Sequence, residues 1–382
     1  MGKFQTLLNN EKTSGFVLIA CTLLSLFMAN SGFGESYQSI WTFPLGAHSA
    51  EHWINDGLMV VFFLLVGLEL VDELYRGRLS SFQTAMLPLS GALGGMLLPA
   101  AIYLMWNAGM PTASGFGIPM ATDIAFALAF LSLMGNRVPP GLKVFLMALA
   151  VIDDLGAIIV IAVFYSSAID GMFLALALGL FALLLLLNKV FHVKTLAVYL
   201  IGGIAMWYCM HYSGVHATIA GVLLAITIPN NRDLTQSPAV RLRHALHYPV
   251  YFFVLPLFAL SNTAIPLDGD LFGTFHEPFA VGILLGLVVG KPIGITFFSW
   301  LSVGVGLCRL PSGVKWKQLF GAGLLGGIGF TMSIFITLLA FSGNNHYVNG
   351  AKWTIMLSSL LAAAAGLVWL SFVLPKKQKK ER

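Results

Sequence analysis

Four ionisable side chains lie where so apolar a sequence should hold none. Asp123 follows Thr122 shortly after Pro119. Asp153 and Asp154 stand side by side in Ala150-Val151-Ile152-Asp153-Asp154-Leu155-Gly156-Ala157, and Lys291 lies in Gly290-Lys291-Pro292. Such groups persist in a membrane interior only when paired or lining a wet cavity, so each is a functional candidate. A structural ion pair would explain one carboxylate beside Lys291, but not two adjacent ones. Neighbours on a helix point about 100° apart, so one aspartate can pair with Lys291 while the other faces elsewhere. A carboxylate taken out of water resists ionisation, and a partly dehydrated cation seeks hard oxygen ligands. Cation and proton then compete for the same oxygens. If such a site faces either side of a membrane but cannot reorient empty, that competition suffices for exchange.

The elements that position these groups are membrane spans. The chain has 382 residues, 58% hydrophobic and only 10% charged, with a mean hydropathy of +0.85. A soluble domain carries about 25% charged residues. Composition excludes disorder, coiled coil and disulfide-rich scaffolds, and the continuous apolar runs exclude an outer-membrane barrel, whose strands alternate. The fold class is an all-α polytopic membrane protein. Candidate spans are 13–30, 52–75, 86–106, 117–134, 141–165, 172–188, 195–208, 214–229, 243–262, 280–302, 318–341 and 350–373. Twelve helices of ~20 residues leave loops of about 11, too short for an extramembrane domain. Cys21, Cys209 and Cys308 show no metal or redox spacing and read as packing residues.

The net charge of +5 follows the membrane and is no nucleic-acid signal. Nineteen of twenty-one Lys and Arg fall in the two tails and in alternate loops: Lys3 and Lys12; Arg76 and Arg78; Arg137 and Lys143; Lys189 and Lys194; Arg232, Arg241 and Arg243; Arg309, Lys315 and Lys317; and Lys376, Lys377, Lys379, Lys380 and Arg382. Lys352 falls on the other side and Lys291 within a span. The positive-inside rule makes the larger set, and both termini, cytoplasmic. Cleaving the first apolar run as a signal peptide would break this alternation. The loop 31–51, with Trp41 and Pro44-Leu45-Gly46, suits an extracytoplasmic hairpin.

Two spans contain backbone breakers. Pro119 interrupts the fourth, and Gly326-Gly327-Ile328-Gly329-Phe330-Thr331 the eleventh. Each break exposes helix ends, positive ones that favour a carboxylate and negative ones that favour a cation. Asp123 and Lys291 have the right signs. The breaks occupy the middle of two three-span groups, 3–5 and 10–12, which points to an inverted-repeat secondary transporter.

Several runs resemble the bacterial NhaA sodium/proton antiporter family. They are Trp53-Ile54-Asn55-Asp56, Phe62 through Glu69, Thr122 through Phe126, Leu146 through Ala157, Ser213-Gly214-Val215-His216-Ala217-Thr218, Gly290-Lys291-Pro292 and Gly327 through Ile336. The likeness covers essentially the whole chain. That family helps to define the inverted-repeat pattern, so the two indications are not independent. The resemblance implies twelve helices with inverted repeats, the fourth and eleventh being discontinuous and crossed. It implies a single transporter unit over 1–382, with core-like helices at about 86–165 and 280–373 and interface-like helices at about 13–75 and 172–262. It also implies a homodimer in the bacterial inner membrane, joined partly through the 31–51 hairpin. The implied activity is electrogenic, pH-regulated export of Na⁺ or Li⁺ against H⁺, without enzymatic activity or a cofactor. Partners would be membrane lipid and the transported cations. Carried over by motif, Asp153 and Asp154 bind Na⁺ and protons, with Thr122 beside them. Asp123 and Lys291 balance the helix dipoles, and Lys291 pairs with Asp153.

The family links the position of His216 to pH response, although a hydrogen-bonded helix-end histidine is the simpler reading. Asp56 reads as a solvated or paired helix-start residue. Glu69 and Glu73 fit either a cation entrance or a solvated helix face. Asp72 and Arg243 reverse the family's usual signs, as drift of two solvated charges or as a swapped salt bridge near His244 and His247, where the family places its pH-responsive cluster. A sodium-coupled organic-anion symporter is the alternative within transport. An intramembrane aspartyl protease would need its aspartates on separate helices, one of them in a Gly-Asp motif. Here that pair, Gly269-Asp270, lies in a loop.

Overall fold

The computed structural model describes residues 11–77, 81–166, 169–230, 237–267 and 271–375. Lys3, Arg78, Arg232, Gly269, Asp270 and the basic C-terminal tail from Lys376 lie outside the described residues. A bilayer core offers the backbone no hydrogen-bonding partner, so a chain this apolar must close its N–H and C=O groups within helices. The described residues do so almost throughout.

Among the described residues, seven uninterrupted helices are long and apolar enough to cross a bilayer. Three bent pairs raise the number of spans to ten if each pair is one span. In chain order the elements are α1 (Glu11–Ala29), α2 (Gly34–Thr42), the paired strands β1 (Pro44–Leu45) and β2 (His48–Ser49), and α3 (Ala50–Tyr75). Next come α4 (Phe82–Asn107), a 3₁₀ segment (Pro111–Met120), α5 (Ile124–Leu133), α6 (Pro140–Phe164) and α7 (Gly171–Lys189). Then follow α8 (Leu196–Tyr212), α9 (Ile219–Thr227), α10 (Pro238–Asn262) and α11 (Pro278–Gly304). The last are α12 (Trp316–Gly326), α13 (Phe330–Ala340) and α14 (Asn345–Val373).

Three features depart from the sequence reading. The eighth apolar run yields only nine helical residues in α9, because Gly214 turns the chain at φ +79° before the helix can start. The 31–51 segment does hold a hairpin, pairing Pro44 with Ser49 and Leu45 with His48, but its strands are two residues each and α2 takes up Gly34–Thr42 ahead of it. The run before α5 is wound as 3₁₀ from Pro111, earlier than its apolar window suggested.

The chain divides into two compact units, one of Met1–Phe16, Ser81–Ala157 and Asp268–Arg382, the other of Val17–Ser80 and Ile158–Leu267. In the first, α4 packs closely on α11 through Gly94 and Gly294. A Cβ on Gly94 would stand 2.2 Å from the Gly294 carbonyl oxygen, and one on Gly294 would stand 2.1 Å from that of Gly94. Close approach through small residues is how membrane helices gain packing where the solvent itself is apolar. Arg137 donates to the carbonyls of Ser371, Leu374 and Pro375 at 2.7–3.0 Å, placing a cation on the negative end of α14. In the second unit, Ser25 and Tyr37 both donate to the Leu260 carbonyl, tying α1 and α2 to α10. Large side chains such as Phe27, Met105 and Phe372 point outward, as a lipid-facing surface requires.

Candidate ion and proton site

The site lies wholly within the first unit. Asp153 and Asp154 sit mid-way along α6, and Lys291 follows a π-helical turn, Gly286–Gly290, in α11. The side chains of Asp153, Asp154, Lys291, Thr122 and Asp123 are all between 0% and 2% exposed. π turns recur at functional positions because they re-aim side chains, and here the turn ends at the one buried ammonium of α11.

Lys291 Nζ donates to Asp153 Oδ2 and, at 2.8 Å, to Thr122 Oγ1. Thr122 Oγ1 in turn lies 2.7 Å from Asp153 Oδ2 and 2.8 Å from the carbonyl oxygen of Gly326. A hydroxyl carries one proton, so it can donate to the carboxylate or to the carbonyl but not to both. Asp153 Oδ1 is sealed from solvent and accepts no hydrogen bond. Asp154, the next residue along α6, is buried as well, at 1% exposure.

The two broken spans meet beside this cluster. The 3₁₀ segment and α5 are bent by 43° across Ala121–Asp123, and α12 and α13 by 47° across Gly327–Gly329. Asp123 Oδ1 caps α5 by accepting from Phe126 N at 3.1 Å. Its Oδ2 accepts from Thr331 N at 3.1 Å and Thr331 Oγ1 at 2.5 Å, at the start of α13. The Asp123 N–H donates to the Ile328 carbonyl at 2.7 Å, and Ser333 Oγ donates to that of Ile118 at 2.7 Å. One carboxylate thus serves two helix N-termini, where a negative charge is favoured. The carbonyl end of α12 is met by Thr122, whose hydroxyl oxygen also accepts from the Lys291 ammonium.

The structure therefore brings Thr122, Asp153 and Lys291 into hydrogen-bonding contact and seats Asp123 at the helix breaks. Thr331 was not singled out from sequence. Two hundred and eight residues separate it from Asp123, and a lone threonine in an apolar run gives no signal of its own.

The remaining candidates lie in the second unit. His216 Nε2 is 2.8 Å from the Tyr165 carbonyl oxygen, just ahead of α9. Arg243 Nη1 meets Asp72 Oδ2 at 2.5 Å, and Arg76 Nη1 meets Asp72 Oδ1 at 3.2 Å, so one carboxylate bridges two guanidinium groups. Glu69 and Glu73 are half-buried on α3, and His244 is exposed. The His247 ring packs against Tyr251, tilted by 45° at a centroid distance of 4.7 Å.

Comparison with known proteins adds an independent line. Residues 5–370 match the family described as Na+/H+ antiporter 1. A protein of Cytophaga hutchinsonii named Na(+)/H(+) antiporter NhaA is 54% identical over 99% of this chain and 97% of its own length. One of the same name from Flavobacterium psychrophilum is 54% identical over 98% of this chain and 97% of its own. A third, from Aliivibrio salmonicida, is 46% identical over 96% and 97%.

Proposed function

The chain belongs to the Na+/H+ antiporter 1 family, and on that premise we propose that it is a multi-pass membrane antiporter that exports Na⁺ or Li⁺ in exchange for protons. The observation that carries the reading is the buried cluster of Asp153, Asp154, Thr122 and Lys291, with two carboxylates adjacent on one unbroken helix. The relatives are named as sodium/proton antiporters, which favours exchange over the organic-anion symporter and supports reading the protein as a transporter rather than an enzyme.

Asp153 has two ways to be satisfied. Without bound cation its charge is held by Lys291 and Thr122. When Na⁺ enters, hard oxygens from Asp153 and Asp154 take the ion, and the ammonium is released from its partner. Protonation of the carboxylates reverses this by removing the charge that holds the ion. Because ion and proton use the same oxygens, neither is carried with the other. Two carboxylates allow more than one proton per ion, which electrogenic exchange requires. Thr122 re-aims its single proton between Asp153 and the Gly326 carbonyl as Lys291 moves, and so links the ion site to the break between α12 and α13.

The bent α5 and α12–α13 pairs are the two crossed discontinuous helices of a twelve-span inverted repeat. Their mutual hydrogen bonds, Asp123 to Ile328 and Ser333 to Ile118, support that assignment. The helices at about 86–165 and 280–373 form the ion-carrying core, and those at about 13–75 and 172–262 the interface of a homodimer that includes the 31–51 segment. The protein resides in the bacterial inner membrane with both termini cytoplasmic, as the distribution of basic residues supports. Glu69, Asp72, Glu73, Arg243, His244 and His247, with His216, set its pH response. Everted vesicles with a preformed ΔpH test the activity: NaCl and LiCl should dissipate the gradient while KCl does not. A gradient indifferent to Na⁺ and Li⁺ across the pH range would reject the antiporter.

A further inference from the structure

Away from the carboxylate cluster, the second unit gathers three histidines that the transport reading does not use. His48 lies on β2, His52 follows it in the first turn of α3, and His211 is next to last in α8. The rings of His48 and His52 stack at 4.1 Å, and that of His211 stands 5.7 Å from the first and 6.1 Å from the second. One ring nitrogen from each can be chosen so that all lie within 4.8 Å of one another. His52 Nε2 is sealed from solvent and makes no hydrogen bond, although Asp56 Oδ2 stands 3.6 Å away.

The corner that carries these rings is well fixed. Ser49 Oγ accepts from the His52 N–H at 3.2 Å, locking the end of the hairpin to α3. The Trp53 indole donates to the Leu45 carbonyl at 2.9 Å, and Trp207 stacks on His211 at 5.9 Å. A buried imidazole nitrogen without a partner is unfavourable in a cluster meant only for packing. An imidazole nitrogen is also a ligand atom, and three imidazoles with a carboxylate alongside form a donor set for a borderline transition metal.

We propose that His48, His52 and His211 bind one divalent transition-metal ion of the zinc type, with Asp56 as a fourth ligand or as the acceptor that orients His52. Tetrahedral Zn–N bonds of about 2.0–2.1 Å put ligand nitrogens about 3.4 Å apart. The histidines therefore close by no more than about 1.4 Å from their present separations, within the reach of side-chain rotation. Imidazole ligands discriminate against Na⁺ and Mg²⁺, which prefer oxygen, so the site holds its ion in the presence of the transported one. The bound metal staples the hairpin corner to the end of α8.

The test is Zn²⁺ binding to the full-length chain in detergent, with any affinity tag removed. Competition against a chromophoric chelator should give one Zn²⁺ per chain with micromolar or tighter affinity. His52→Asn and His211→Asn should each weaken it at least tenfold, while His192→Asn, at an exposed residue outside the cluster, leaves it unchanged. X-ray absorption at the zinc edge of the unmutated protein should show three imidazoles, and this readout needs no variant to fold. Affinity unchanged by both cluster variants, absence of stoichiometric binding, or a shell with fewer than two imidazoles would overturn the proposal.

Discussion

Replacing Asp153 by Asn leaves Lys291 as a buried cation whose partner has lost its charge. Both side chains are 0% exposed, so water cannot take over the role of the carboxylate. Breaking a buried pair from one side costs about 3–5 kcal/mol. A second route bounds the value, since the ammonium can shed its proton instead of staying charged. From an ordinary lysine pKa of about 10.4, at about 1.36 kcal/mol per pH unit, neutralisation costs about 4.6 kcal/mol at pH 7. The two figures agree. The bound also carries a sign: by pH 9 the same route costs only about 1.9 kcal/mol, so the deficit of Asp153→Asn should shrink as pH rises. Asp154→Asn leaves the Lys291–Asp153 pair intact and should not show this pattern. Thermal unfolding in detergent across a pH series, followed by loss of the monodisperse gel-filtration peak, reads both. Equal stability of the two variants near neutral pH would refute the reasoning, as would an Asp153→Asn deficit that does not change with pH.

Three further outcomes are expected. Asp123→Ala should destabilise by about 2 kcal/mol or more, because two helix starts lose their cap at about 1 kcal/mol each, while Asp123→Asn keeps much of it; thermal unfolding of the pair decides. Thr122→Val should depress sodium-driven exchange and raise the Na⁺ concentration for half-maximal ΔpH dissipation by roughly tenfold, the effect of losing a hydrogen bond worth about 1.4 kcal/mol. Thr122→Ser should retain most activity. For Arg243→Glu the shift in apparent activation pH should be larger than for Arg243→Glu combined with Asp72→Arg. Arg76 also holds Asp72 and the site is a quarter exposed, so the coupling in a double-mutant cycle should stay below about 1 kcal/mol.

Much of the site was legible because intramembrane charge is rare. Asp123, Asp153, Asp154 and Lys291 stood out on type alone, and the adjacency of the two aspartates already implied that Lys291 could satisfy only one. The glycine run and Pro119 marked the two breaks, since those residues weaken a helix by known mechanisms. What escaped is the geometry that joins distant segments. Thr331 reaches Asp123 across 208 residues and His211 reaches His48 across a shorter but still distant stretch of chain, and no local pattern encodes either contact. The π turn before Lys291 left no signal, because shifting one hydrogen bond in a helix requires no special residue. The eighth span was overread because an apolar window cannot distinguish a helix from the turn at Gly214 that shortens it.

The central claim is that Na⁺ and H⁺ compete for the carboxylates of Asp153 and Asp154. Proton release on adding Na⁺ to the detergent-solubilised protein, in weakly buffered solution with a pH-sensitive dye, measures this without a membrane or a gradient. Ligand oxygens must be deprotonated to hold an ion, so Na⁺ and Li⁺ should release protons and K⁺ should not. The apparent Na⁺ affinity should weaken about tenfold per unit fall in pH for each proton displaced. Asp154→Asn should release none. Sodium binding whose affinity is independent of pH, or undiminished release from that variant, would contradict the account.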